Sequence, residues 1–178
     1  MDANELELVR SAQRGEIEAF SALVERYWTR MVGFARSVVG DSDAEDCVQE
    51  GMVVIWEKLS SLRDCGAFPA WGMRIIARRC LRRARKRLRV LPLENLPEVP
   101  DPGGSRGWES IHVEEVLAQL PPRQRAVMHL TVIEGMTDSE IGSSLAIDAA
   151  SVRSHRRRAR ESLRRIFDER GSLGGEES

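Results

Sequence analysis

The residues in this chain best suited to chemistry are arginines set at helical spacing. In the segment TDSEIGSSLAIDAASVRSHRRRAR, residues 137–160, Arg153 and Arg157 stand four positions apart. If Val152 faces inward, a helical pitch of ~100° per residue turns Ala150, Arg153, Ser154 and Arg157 outward. Arg158 extends the cationic set. A guanidinium carries only donors, in a planar fork that matches guanine O6 and N7 or a phosphate. The short side chains of Ala150 and Ser154 let the backbone come close to base edges. This is the chemistry of polyanion recognition, not of bond breaking. An ordinary helical hairpin with a solvated basic helix has the same spacing, and the residues alone leave both readings open.

A second cationic run, FPAWGMRIIARRCLRRARKRLR, occupies residues 68–89. Phe68, Trp71, Ile75 and Ile76 fit one buried side of a helix, while Arg74, Arg78, Arg82 and Arg85 step along another. A lipid-surface helix needs a wide apolar face opposite its charges, and past Leu81 only Leu88 is left to supply one. Just before this run lies a segment of opposite sign, DAEDCVQEGMVVIWEKL, residues 43–59. Its Val48, Met52, Ile55 and Leu59 share one face. Asp46, Gln49 and Glu50 present acceptors on the other, with Val53 as an apolar spot. A partner's basic surface would fit that face, and so would plain solvent. A calcium loop starting at Asp41 would need glycine sixth and glutamate twelfth, where this chain has Asp46 and Met52.

These faces need helices to hold them. Thr137 and Glu140 have capping-box spacing, so a helix should open at Asp138 and run to Leu145. Ala146-Ile147 makes a short turn, and Asp148 can cap the next helix, 149–167. Val152 should pack back on Ile141 and Leu145, the geometry of a helix-turn-helix. Toward the N-terminus, helices are expected over 4–14, 16–39, 43–59 and 68–89. Phe20, Leu23, Tyr27, Met31, Phe34 and Val38 form the buried stripe of the second. Ser42 and Glu45 read as a capping box for the third. Residues 60–67 read as a loop. VLPLENLPEVPDPGGSRGW, residues 90–108, holds four prolines and three glycines and cannot sustain a helix. Beyond it come helices over 111–119 and 123–134. The pattern is all-α: two small helical domains, 1–89 and 109–170, joined by the flexible linker 90–108, with a frayed tail over 171–178.

Composition agrees. The net charge of −1 hides a segregation: six basic against twelve acidic groups in residues 1–60, then ten against one in 61–90. Such blocks suit one surface for a polyanion and another for a different partner. Cys47, Cys65 and Cys80 show no CxxC spacing, which argues for reduced thiols rather than a disulfide frame or zinc site. No catalytic constellation is present, no phosphate-binding glycine loop, no G-x-S-x-G and no H-E-x-x-H, so no catalytic residue, metal or cofactor is expected. The acidic MDANELELVR start is unlike a signal peptide, and no apolar run approaches a membrane span, so a cytoplasmic protein without membrane insertion is expected.

Residues 120–165, LPPRQRAVMHLTVIEGMTDSEIGSSLAIDAASVRSHRRRARESLRR, resemble the fourth conserved region of the sigma-70 family, in its small extracytoplasmic-function (ECF) branch. LuxR-type regulators share a similar helix-turn-helix, so the N-terminal half decides between them. There, DAEDCVQE resembles the family's second region, and FPAWGMRI its F-x-A-W-x-x-x-I segment. The resemblance implies a bacterial RNA polymerase sigma factor. Asp46, Gln49, Glu50 and Val53 would dock on the clamp helices of the polymerase's largest subunit. Arg63 in the 60–67 loop, with Arg74, Arg78, Arg82 and Arg85, would meet the promoter's −10 element. Ala150, Arg153, Ser154, Arg157 and Arg158 would read the −35 element. Core polymerase and promoter DNA are the implied partners, and an anti-sigma factor is a further one, since family members are often held by such a protein. A regulator that binds DNA without loading polymerase and a sigma-like decoy are the alternatives.

Several residues depart from the family pattern. Ala146 replaces a usual glycine, His155 a usual arginine and Arg156 an apolar residue. Arg78 and Arg82 stand where asparagine and aspartate are usual. By the helical wheel Arg156 falls near the core face and is expected to snorkel out to water. Gly51 lies inside a helix, at a cost of roughly 1 kcal/mol relative to alanine.

Overall fold

A computed structural model of the chain describes residues 2–90 and 113–173. Eight α-helices make up nearly all of it, and no strand occurs among the described residues. The expected linker, apart from Val90, the helix start at 111–112 and the last five residues lie outside the described residues.

The N-terminal half is a four-helix unit. α1 (Ala3–Gln13) begins at Asp2, whose carboxylate accepts from the Glu5 amide at 2.8 Å. α2 (Ile17–Val39) buries Leu23, Tyr27, Met31, Phe34 and Val38 as its apolar spacing predicts, with Phe20 packed at the edge against Trp56. Gly40, at φ +84°, ends α2 and is also the residue before α3 (Asp41–Lys58). A one-residue corner leaves no extended position from which Ser42 could cap. The expected Ser42–Glu45 box does not form, and Asp41 and Asp43 lie in the first turn, where the helix dipole favours acids. The expected loop over 60–67 is largely two short 3-10 turns, Leu59–Ser61 and Cys65–Ala67. α4 (Phe68–Val90) then packs on α2 and α3.

Gly51 does work that its helix propensity hides. A Cβ there would lie 2.3 Å from Ile76 Cδ1, so its absence lets α3 and α4 approach closely. Ala44, Cys47, Ala77, Cys80 and Ala84 are also small and buried on these two helices. The three cysteines are free, with Cys47 and Cys80 buried.

The C-terminal half comprises α5 (Val113–Ala118), α6 (Pro122–Val132), α7 (Asp138–Leu145) and α8 (Ala149–Leu173). α8 runs six residues beyond the expected end at Phe167. The halves share a core: Ala126, Val127, Leu130, Ile141, Leu145 and Val152 join the cluster built from α1–α4. α2 lies on α6 and α4 on α7. Phe34 meets His129 edge to face, centroids 5.2 Å apart, and Arg30 is ion-paired with the buried carboxylate of Glu134.

Candidate nucleic-acid interface

The helix-turn-helix is built as its sequence dictates. Thr137 Oγ1 accepts from the Glu140 amide at 3.3 Å, and Glu140 Oε2 accepts from the Thr137 amide at 2.8 Å, completing the capping box. The Thr137 hydroxyl and amide hold the Glu140 carboxyl below its ordinary range. Asp148 accepts from the Ser151 amide at 2.7 Å and caps α8, which lowers its pKa in the same way. Ile141, Leu145 and Val152 are buried against one another. The turn is tight: Ala146 has φ +54°, and a Cβ on Gly142 would fall 2.7 Å from the Ile147 carbonyl oxygen.

Across α8, Ala150, Arg153, Arg157 and Arg158 are exposed and Ser154 is half-buried, so the five expected residues do share the outer side. Two of these arginines have neighbours of opposite charge, Asp138 at 3.8 Å from Arg153 and Glu161 at 3.4 Å from Arg157. Arg156 does not snorkel to solvent. It is ion-paired with Asp138 at the start of α7, its side chain only 20% exposed. A carboxylate within reach serves this guanidinium better than an extended path to water.

Along α4, Arg78, Arg82 and Arg85 are exposed and Arg74 is half-buried, while Arg63 is exposed between the two 3-10 turns. Arg78 is already engaged: Nη2 donates to the Ser143 carbonyl at 2.9 Å and Nε to that of Ser144 at 3.2 Å. Beside it, a cleft of about 550 Å³ is lined by Arg78, Arg82, Arg85, Lys86 and Arg123 over a floor of Leu81 and Leu145. Among the described residues no carboxylate lines it. Arg123, from α6, was not foreseen, because the contact that brings it to α4 crosses between the halves.

On α3, Asp46, Gln49, Glu50 and Val53 are all exposed, Val53 at 58%. Their face is not wholly free. Glu50 accepts from Arg79 at 2.8 Å and pairs with Arg83 at 3.4 Å, while Asp43 holds Arg83 at 2.9 Å and Asp46 lies 3.7 Å from it. Arg79 and Arg83, four apart on α4, are not among the arginines the sequence assigns to a partner, yet they hold the acidic face of α3. The adjacency of an acidic and a basic helix was the signal that could have found them. Among the described residues no group of histidines, cysteines and carboxylates could hold a metal, and no helix is long and apolar enough to cross a membrane.

Two helical halves, each presenting arginines on an exposed helix face, with a helix-turn-helix in the second, define an all-α DNA-binding protein. The Sigma-70 region 2 family model matches residues 23–90, and the Sigma-70, region 4 model matches residues 112–163. The chain is 32% identical to the RNA polymerase sigma factor NccH of Alcaligenes xylosoxydans xylosoxydans, over 88% of this chain and 90% of that protein. It is 30% identical to the ECF sigma factor SigE of Mycolicibacterium smegmatis, covering 86% of this chain but 63% of SigE. A solved structure of CnrH in complex with the cytosolic domain of CnrY superposes with a TM-score of 0.65 at 28% identity, covering 93% of this chain and 97% of CnrH. The sigma factor RpoE of Bartonella quintana, solved with the anti-sigma factor NepR, shares the fold at a TM-score of 0.64 and 22% identity, covering 84% of this chain and 96% of RpoE. The chain belongs to the sigma-70 family of RNA polymerase sigma factors, in its ECF branch.

Proposed function

We propose that this chain is a two-domain initiation factor, residues 1–89 and 109–170 acting as its domains, that brings core RNA polymerase to a promoter in the cytoplasm. Sigma factors carry no catalytic activity of their own, and the phosphoryl chemistry belongs to the polymerase. Asp46, Gln49, Glu50 and Val53 dock on the clamp helices of the largest subunit. Arg153, Arg157 and Arg158, with Ala150 and Ser154 leaving room for the bases, read the −35 element. Arg63 and the α4 arginines Arg74, Arg78, Arg82 and Arg85 meet the −10 element, where attraction to phosphates holds the duplex while it opens. Unstacking costs a few kcal/mol per step, which captured bases and backbone contacts offset without ATP.

The observation that carries this reading is the pairing on α3 and α4. One helix presents an exposed acidic-apolar face, and the helix packed on it presents the exposed arginines Arg78, Arg82 and Arg85. A single rigid unit can therefore touch polymerase and DNA at once. CnrH was solved with the cytosolic domain of CnrY, and RpoE with an anti-sigma factor. By analogy, an anti-sigma protein that covers these faces would hold this chain inactive. Mixing purified chain, core polymerase and promoter DNA tests the proposal. Transcription that depends on the chain supports it; DNA binding without initiation, or polymerase binding without initiation, would replace it with a regulator or a decoy.

A further inference from the structure

Between α3 and α4 the chain passes through Leu59–Ala67, and a side chain from α1 reaches into this passage. The Gln13 amide nitrogen donates to the Leu59 carbonyl at 3.0 Å and to the Leu62 carbonyl at 2.6 Å. Its oxygen accepts from the Cys65 thiol at 3.5 Å. Two carbonyls can accept only from an NH2 group, so the orientation of the amide is fixed by its partners. Both amide hydrogens and one oxygen lone pair are used. These partners lie 46, 49 and 52 positions from Gln13 in sequence.

The three tethers fall on both sides of one residue. Leu62 precedes Arg63, and Cys65 follows it by two. Asp64 is constrained as well, because its carboxylate accepts from the Gly66 amide at 2.8 Å and caps the second 3-10 turn. Leu59, at the base of the loop, is 1% exposed. Arg63 and Asp64 therefore stand exposed on a tip whose two sides are held to α1. A guanidinium on a loose loop would lose side-chain and backbone freedom on meeting DNA, and on a braced tip most of the backbone share is already lost.

We infer that Gln13 is the positioning residue of the promoter-facing loop, setting the conformation in which Arg63 meets the downstream element. This rests on the proposed role of the loop in DNA recognition. Gln13 itself touches no DNA; it acts through Leu62 and Cys65.

The test is transcription by core polymerase with the full chain, on promoters randomised across the downstream element, comparing wild type with Gln13→Leu, Gln13→Glu, Cys65→Ser and Arg63→Ala. Gln13→Leu removes all three bonds. Gln13→Glu keeps the shape and the acceptor but sets a carboxylate against two carbonyls, and it serves if the leucine variant does not fold. Either is expected to reduce discrimination by about tenfold at the positions where Arg63→Ala also acts, with upstream-element binding and core affinity unchanged. Cys65→Ser, whose hydroxyl still donates, is expected to keep the wild-type preference. A folded Gln13 variant with the wild-type base profile would overturn the inference, and so would one that lowers transcription equally on every sequence. If Arg63→Ala and replacement of Ser60 and Ser61 also left the profile unchanged, the loop's role in recognition would itself fall.

Discussion

Arg78 of α4 is hydrogen-bonded to the main-chain carbonyl of Ser144, 66 positions along the chain, at the C-terminal end of α7. With its second bond to Ser143, one guanidinium joins the helix expected to face the −10 element to the helix-turn-helix expected to read the −35 element. A promoter that engages both at once must compete for this side chain. Arg78→Ala is expected to weaken the docking of α7 on α4 by about 1 kcal/mol, the size of an exposed charge-assisted bond. Faster amide hydrogen exchange over residues 141–145 would register the loosening. In the wild-type chain, promoter DNA and core polymerase together should produce the same change. Unchanged protection in that complex would mean that the halves stay joined on DNA.

Asp138 and Arg156 form a half-buried pair across the helix-turn-helix. Removing one member leaves the other charge poorly solvated, whereas replacing both need cost little. Asp138→Ala is expected to destabilise the chain by about 1–2 kcal/mol, and adding Arg156→Met should recover most of that loss. A double-mutant cycle from urea unfolding reads the coupling. Additive effects would show that the pair contributes nothing.

The turn between α7 and α8 offers two opposite outcomes from glycine and alanine. Ala146 sits at φ +54°, where an L side chain costs about 1–2 kcal/mol, part of which glycine returns through its freer unfolded state. Ala146→Gly is expected to stabilise by about 0.5–1 kcal/mol, seen as a higher urea midpoint with the same slope. Gly142→Ala should destabilise by about 1–3 kcal/mol, because its new methyl meets the Ile147 carbonyl rather than a side chain that could turn away.

Acid should loosen this same motif early. Glu140 and Asp148 both have lowered pKa values, from hydrogen bonds made in the folded caps. A carboxyl whose folded pKa is depressed adds stability above its unfolded pKa and loses it as pH falls through the folded one. The window therefore lies below about pH 4.5. Melting temperatures measured from neutral pH downward should fall less steeply in Glu140→Gln than in wild type, while Glu140→Gln should be the less stable at neutral pH.

What the sequence made legible follows from distance along the chain. Helix periodicity and the caps at Thr137 and Asp148 are local, and the structure bears them out, as it does the exposed faces of α3 and α8. Most corrections came from contacts that local rules do not see. Gly51 was legible only as a weak helix former, yet Ile76 needs the space it leaves. Arg156 was expected in water because Asp138, 18 positions away, is one turn of a neighbouring helix. The pairing of Arg30 with Glu134 spans 104 positions and carries no signature in either segment. Gln13 is likewise an ordinary surface residue of α1 until the loop folds over it. Ser42 failed as a cap for a local reason, since Gly40 alone turns the corner.

The polymerase-facing surface calls for a cleaner probe than reversing its acids. Glu50 accepts from Arg79 and pairs with Arg83, so Glu50→Lys would place three cations together and disturb the α3–α4 contact as well as any docking. Val53 offers a better separation. It is 58% exposed on the same face and takes no part in the core, so Val53→Asp should change stability by no more than about 0.5 kcal/mol. An apolar spot at the centre of an interface loses far more when a desolvated carboxylate replaces it. Val53→Asp is therefore expected to lower affinity for core polymerase by about tenfold or more while helicity and upstream-element binding stay at wild-type levels. Gln49→Ala, at the polar edge of the same face, should have a smaller effect in the same direction. If the Val53 variant bound core polymerase with wild-type affinity, the docking surface would have to lie elsewhere than on the exposed side of α3.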